Sequence, residues 1–189
     1  MALPAARTPD EAQLYLDIHP CERCGSMETP WEQSAEVVDG TSVLRYRGTC
    51  AGCGTERDAT FLTPKVHIVR GRDEVVRYGG AQPSELIDAG EWLAVADLAA
   101  RSSGISVGED EIEAEPEGVE LLGIAAEAMT EVLKFVPDGA DRVPDSAFWT
   151  TEGRQLHETS PGRFKRRRLL IVRDSYRDVL DRLDMQAFR

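Results

Sequence analysis

Cys21-Glu22-Arg23-Cys24-Gly25 and Cys50-Ala51-Gly52-Cys53-Gly54 are the two stretches that decide how the N-terminal third of this chain is read. Each is a Cys-x-x-Cys-Gly turn that sets two thiols on one side. The glycine that follows accepts the left-handed conformation needed for backbone amides to point at the sulfurs. Between Cys24 and Cys50 lie 25 residues, the length of a β-hairpin with its connections, and the hairpin signal Asp39-Gly40 falls in the middle. Two such turns across a hairpin bring Cys21, Cys24, Cys50 and Cys53 into a tetrahedron of thiolates. Four sulfurs suit zinc and leave no open coordination position, so the spacing points to one closed, structural Zn2+ per chain. An iron centre of the rubredoxin type also uses two Cys-x-x-Cys-Gly turns and stays open as an alternative. Thioredoxin-like redox chemistry does not fit, because neither pair lies between a strand and a helix of a βαβ unit. His19, two residues before Cys21, reads as a helix-end group or a group supporting the ligands from outside.

The elements around these turns follow the same logic. Thr8-Pro9-Asp10-Glu11 reads as a helix start, with Thr8 as cap and Glu11 closing a capping box. The helix runs to about Ile18 with Leu14 and Ile18 on one face. Trp31–Val38 and Thr41–Arg47 read as the two strands of the hairpin, and Thr55–Leu62 as a third. Arg45 and Arg47 share one face of the return strand, opposite Tyr46. Val66–Val69 and Val75–Tyr78 read as two further strands.

This part of the chain resembles the zinc ribbon family over residues 19–64, through Cys21, Cys24 and Gly25 in one turn and Cys50, Cys53 and Gly54 in the other. The resemblance implies a three-stranded antiparallel sheet gripping zinc. Members of that family bind nucleic acid, bind proteins or brace a larger fold, so the resemblance implies the metal and leaves the task open.

Downstream the pattern turns helical. Asp88 and Glu91 form a capping box for a helix to about Arg101, with Trp92, Leu93, Val95, Ala96, Leu98 and Ala99 on a broad apolar stripe. Ser84–Ile87 reads as a helical turn. A second helix is expected over Gly118–Val136, with Leu121, Leu122, Ala125, Met129, Val132 and Leu133 inward. A short one is expected over Ser146–His157, carrying Phe148 and Trp149 into the core with Trp92. A last helix runs from Ser160-Pro161 to about Asp184, with Leu169, Val172, Tyr176, Val179 and Leu183 on one seam. The expected fold class is α+β: an N-terminal helix over 1–18, a zinc ribbon-like antiparallel β unit over 19–64, a β-hairpin or linker over 65–83, and an α-helical domain of three to four helices over 84–189 that carries an acidic loop at 102–117.

The chain has 189 residues and a net charge of −12. It holds no apolar run near the ~20 residues a membrane helix requires and no signal-peptide pattern, so it reads as cytoplasmic without a membrane partner. The charge is uneven. Residues 161–189 carry nine basic and four acidic groups, and each earlier portion is acidic. Two runs stand out as partner-binding candidates. Glu109, Asp110, Glu111 and Glu113 belong to a run of six acids in nine residues. Arg166, Arg167 and Arg168 belong to a basic run. The two runs read as partners of one another, or as surfaces for a basic protein and for phosphate respectively. Nucleic-acid binding through the ribbon and the basic helix is disfavoured by the overall charge. No phosphate-binding glycine loop, zinc-protease helix or dinucleotide fingerprint occurs. His67 and His157 stand without a catalytic setting. The chain therefore reads as a non-enzymatic protein-binding or regulatory protein with a four-cysteine zinc site. One version neutralises a basic toxin in the manner of an immunity protein. A nucleic-acid-binding accessory factor and an enzyme with an unmarked site are the alternatives.

Overall fold

The computed structural model describes residues 3–63, 76–108 and 112–187. The expected strand at Val66–Val69, Val75 of the expected strand at Val75–Tyr78, His67, and the acids Glu109, Asp110 and Glu111 lie outside them. Residues 76–79 carry no regular structure. The chain is α+β, with a three-stranded antiparallel sheet followed by helices. It divides into two units: 1–70 with 77–80 and 84–86, and 71–76 with 81–83 and 87–189.

In the first unit, α1 (Pro9–Ile18) is capped by Thr8, whose hydroxyl accepts from the Glu11 amide at 3.1 Å. The expected capping box is not formed. The Glu11 carboxylate turns inward to the Arg7 amide and guanidinium and to the Ser84 hydroxyl at 2.6 Å, and is fully buried. A buried carboxylate requires such partners, and they prevail over the Thr8 amide. The face of α1 turned to the sheet holds Ala12 and Leu16, whereas Leu14 and Ile18 are half-buried. The sheet comprises β1 (Trp31–Val38), β2 (Thr41–Thr49) and β3 (Glu56–Leu62), in the order β1-β2-β3. Asp39 (φ 50°) and Gly40 (φ 76°) make the tight turn, both left-handed, as a two-residue hairpin matching strand twist requires. The register places Gln33 opposite Tyr46 and Tyr46 opposite Ala59, so Tyr46, Leu44 and Phe61 lie in the covered part of the sheet. Tyr46 and Phe61 meet edge to face, and Tyr15 of α1 meets Phe61 the same way. Burial, with Asp10 and Asp17 adding to it, pushes the Tyr46 phenol up to about 12.

The second unit contains α2 (Ala89–Ser102), β4 (Ser106–Val107), β5 (Ile112–Glu113), α3 (Pro116–Lys134), α4 (Thr151–Thr159) and α5 (Arg166–Ala187). The predicted Asp88–Glu91 capping box is present in full. Leu98 is 61% exposed and leaves the expected stripe; Leu121 and Leu133 are half-buried. The segment expected as a loop from 102 carries a two-stranded ribbon, with Ser106 opposite Glu113. Ser84–Ile87 makes bends rather than a helical turn. The short helix splits into a 3-10 turn at Asp145–Ala147 and α4, because Thr150 is held extended as the cap of α4. Trp149 is thereby 40% exposed, while Phe148 is buried. The last helix starts at Arg166, after a 3-10 turn over Pro161–Phe164. Its seam is buried at Leu169 and half-buried at Val172, Tyr176, Val179 and Leu183. Helix α3 packs against both α2 and α5.

Two helix starts converge on Asp88. This fully buried carboxylate accepts from the Gly90 and Glu91 amides of α2 at 2.8 and 2.9 Å, and from the Thr150 amide and hydroxyl at 2.8 and 2.7 Å. The Thr150 hydroxyl in turn accepts from the Gly153 amide at 3.0 Å. The backbones approach so closely that a Cβ on Gly90 would stand 2.4 Å from the Gly153 Cα. Gly90→Ala is therefore expected to destabilise the second unit by about 1–3 kcal/mol, since neither helix start can move without breaking its cap. A urea titration followed by helical circular dichroism checks this; a midpoint equal to that of the unaltered chain refutes it.

Candidate metal centre

The two cysteine turns are built alike. In the first, the Gly25 amide donates to the Cys21 carbonyl at 2.7 Å and the Cys21 amide to the Ser26 carbonyl at 2.8 Å. In the second, the Gly54 amide donates to the Cys50 carbonyl at 2.8 Å and the Cys50 amide to the Thr55 carbonyl at 2.9 Å. Gly25 and Gly54 have φ values of 74° and 70°, the left-handed geometry that closes each turn without a Cβ penalty. The first turn follows α1 and the second joins β2 to β3. The turns abut where Gly52 faces Ser26: a Cβ on Gly52 would lie 2.8 Å from the Ser26 Cβ.

This packing brings together all four sulfurs that the spacing singled out. The Sγ atoms of Cys21, Cys24, Cys50 and Cys53 lie within 4.8 Å of one another. Contacts run between turns, Cys21 to Cys53 at 3.8 Å and Cys24 to Cys50 at 3.5 Å. A tetrahedron of thiolates at a metal–sulfur distance of about 2.3 Å has edges of roughly 3.8 Å, so the donor set fits a four-coordinate metal. Cys21 and Cys50 are buried, Cys53 is half-buried and Cys24 is exposed, so each turn supplies one inner and one outer thiol. The thiols share protons unevenly. The Thr55 hydroxyl and amide, helped by the Cys24 thiol, pull Cys53 down to about 6. Burial raises Cys50, but the Cys53 amide and the Cys24 thiol outweigh it and leave it below the usual range. The Ser26 amide favours a Cys24 thiolate, yet the Cys53, Cys50 and Cys21 sulfurs together overcome it and push Cys24 up to about 12. The cluster thus offers a ready thiolate to an arriving cation and releases further protons as it closes.

His19 is drawn away from the sulfurs. Its Nδ1 lies 2.7 Å from the Tyr15 carbonyl and its ring lies 4.0 Å from the Tyr15 ring, a helix-end role. Beside the turns, the Arg57 guanidinium stands 4.8 Å over the Trp31 ring and donates to the His19 carbonyl at 2.9 Å and to Thr29 at 3.0 Å. Sequence reasoning passed over Arg57, which ties β3, β1 and the chain after α1 together next to the cysteines. Its signal in the sequence is faint. Trp31 and Arg57 flank Gly48 in one row of the sheet, and a Cβ on Gly48 would stand 3.2 Å from the Trp31 ring.

The other sequence candidates separate. Arg45 donates to Asp58 at 2.7 Å and approaches Glu36 at 3.8 Å, and Arg47 reaches Asp58 at 3.4 Å, so the outer face of the sheet neutralises itself. The Arg45 hydrogen bond holds the Asp58 carboxyl below its usual range. An open groove of about 500 Å³ crosses this end of the sheet between Glu32, Arg47, Glu56 and Asp58. Arg166 is no part of a phosphate patch. Its guanidinium donates to the carbonyls of Val136, Pro137 and Ala140 at 3.1, 2.8 and 3.0 Å, bracing the turn that follows α3. Arg167 and Arg168 are exposed and make no hydrogen bond or ion pair among the described residues. The expected pairing of Arg166 with the acidic run does not occur for the described acids. Glu113, Glu115 and Glu117 precede or open α3, one helix length from Arg166, about 28 Å for nineteen residues. With Glu120 they are exposed and have no cationic partner among the described residues.

In the second unit, His157 stacks on Phe148 at 4.2 Å, and its Nε2 stands 3.9 Å from Asp145, whose side chain is 97% exposed. These line an open cleft of about 420 Å³ with Arg154 and Glu158. A carboxylate so exposed neither orients a histidine nor excludes water, and no nucleophile faces the pair among the lining residues. Among the described residues, no helix is long and apolar enough to cross a membrane. No protein-family model, curated protein or solved structure matches the chain.

Proposed function

We propose that the chain is a non-enzymatic binding protein whose N-terminal unit is a zinc ribbon and whose helical unit offers an acidic surface to a basic protein. The zinc ion is structural and is held by Cys21, Cys24, Cys50 and Cys53. When bound, it supplies cross-linking of the two turns and no chemistry of reaction. The target is of the kind an immunity protein neutralises, a basic toxin or enzyme whose capture is speeded by opposite charge.

The observation that supports this reading is the acidic end of α3. Glu113, Glu115, Glu117 and Glu120 are solvated and unpaired among the described residues. Glu115 precedes the helix without a side-chain bond to it, so capping does not account for the set. Of the arginines that the sequence offered for a nucleic-acid role, Arg45 and Arg47 are bound to Asp58 and Arg166 to carbonyls, which leaves Arg167 and Arg168. Two phosphate contacts against a net charge of −12 carry little affinity.

The test is affinity capture with the full zinc-loaded chain and with a Glu113→Lys, Glu117→Lys, Glu120→Lys variant. A basic partner, identified by mass spectrometry, is expected to be retained by the former at ~0.1 M salt and reduced at least about tenfold by the variant or by ~0.5 M salt. A partner held equally by both chains and indifferent to salt argues against an acidic docking surface. Gel-shift of DNA or RNA at low salt would favour the nucleic-acid reading instead.

A further inference from the structure

The solvent face of α5 carries its charges in reverse order. The exposed pair Arg167 and Arg168 stands at its N-terminal end, and the exposed acids Asp178, Asp181 and Asp184 occupy its C-terminal half. A helix dipole favours acids at its start and bases at its end, so the arrangement works against α5 on its own. Nothing within the described residues corrects it at the first turn, since Arg167 and Arg168 have no partner there. Between the two charged ends the same face exposes a large apolar side chain, Ile171, at 50%. Arg167, Ile171, Asp178 and Asp181 recur at helical spacing and form one stripe.

Both features are resolved by one occupant. We propose that this stripe of α5 is the self-association surface of the protein, and that a second copy of the chain packs its own α5 against it in antiparallel fashion. A two-fold axis near Arg173 and Asp174 sets Arg167 and Arg168 of each copy beside Asp178 and Asp181 of the other, and the partner helix covers Ile171. The interface is isologous: the same stripe serves both copies, and its basic and acidic ends exchange across the axis. Antiparallel dipoles add to the attraction. Two chains of charge −12 repel at long range. At ~0.15 M salt that repulsion is screened beyond about 8 Å, while pairs in contact across the interface are screened far less. A single helix pair buries little area, so the dimer is weak and depends on salt.

Sedimentation velocity on the full zinc-loaded chain tests this. The mass is expected to rise with concentration from 20.9 kDa toward twice that value at ~0.15 M salt, and to return to the monomer at ~1 M. The variant Arg167→Glu, Arg168→Glu and the variant Asp178→Arg, Asp181→Arg are each expected to be monomeric, because like charges then face each other at both ends. Mixed together they are expected to form a heterodimer, since each reversed end meets its complement. A chain with all four reversals is expected to dimerise again, with a charge order that also suits its own dipole, which guards against loss of folding in either double variant. A mass of 20.9 kDa for the unaltered chain at every concentration overturns the proposal. So does dimerisation that survives in both double variants, or a mixture of them that stays monomeric.

Discussion

Replacing Cys50 by serine, or stripping the metal with a chelator, is expected to melt the sheet unit and leave α2 to α5 helical. Cys50 is buried, its amide and carbonyl close the second turn, and its sulfur lies 3.5 Å from Cys24. Structural zinc contributes about 10–16 kcal/mol of apparent binding free energy in zinc-finger peptides near neutral pH, and that binding is coupled to folding. The sheet here also has an apolar core in Leu44, Tyr46 and Phe61, all buried, so some order can persist without metal. A loss of roughly 5 kcal/mol or more is still expected, enough to exceed the stability of most small units. Near-ultraviolet circular dichroism from Tyr46 and Trp31 should collapse while the far-ultraviolet helical signal is largely kept. Elemental analysis should give one zinc per chain before treatment. Acid should act as the chelator does. Protons compete for the four thiolates, so metal affinity is expected to weaken as pH falls. A chelated chain with an unchanged near-ultraviolet spectrum would mean that the cysteines brace nothing, and a red, iron-containing protein would move the reading to electron transfer.

The second large effect is expected at Asp88. Asp88→Ala removes four hydrogen bonds and leaves the amides of Gly90 and Thr150 without partners in a buried place. A lost helix cap alone costs about 1 kcal/mol. Here two helix starts lose the same carboxylate and buried donors are orphaned, so about 3–5 kcal/mol is expected. Asp88→Asn should lose less, because its amide oxygen can still accept from one of the two helices. Thermal unfolding monitored at the helical signal checks both, and an alanine variant within about 0.5 kcal/mol of the unaltered chain would mean that water takes the carboxylate's place.

The sequence carried the sheet well because its signals were local and chemical. Asp39-Gly40 accepts the left-handed geometry that a two-residue turn demands, and the cysteine spacing needs only a hairpin to bring four sulfurs together. The Asp88–Glu91 capping box is likewise a relation between neighbours three residues apart. What stayed hidden depended on distant partners. Glu11 has the spacing of a capping residue, yet Arg7 and Ser84 claim it, and Ser84 lies more than seventy residues away. Arg166 sits in a basic run, but three carbonyls in the turn after α3 take its guanidinium. Leu98 and Trp149 are apolar and fall on helical or near-helical stripes; which of two neighbouring stripes is covered depends on where α3 and α4 lie. Hydrophobic periodicity finds a helix more reliably than it finds that helix's partner.

The Glu11–Ser84 bond bears on how this protein could have been assembled, or could be taken apart. Residues 77–80 and 84–86 belong to the sheet unit although they follow its last strand by some way in the chain. The Arg77 amide donates to Asp10 at 2.9 Å, and Ser84 reaches the buried Glu11. A gene fragment ending near residue 64, where the cysteine pattern ends, would encode the metal ligands and omit both of these contacts. A fragment ending there is therefore expected to be less stable than one carried on to Leu86, the last residue assigned to the sheet unit.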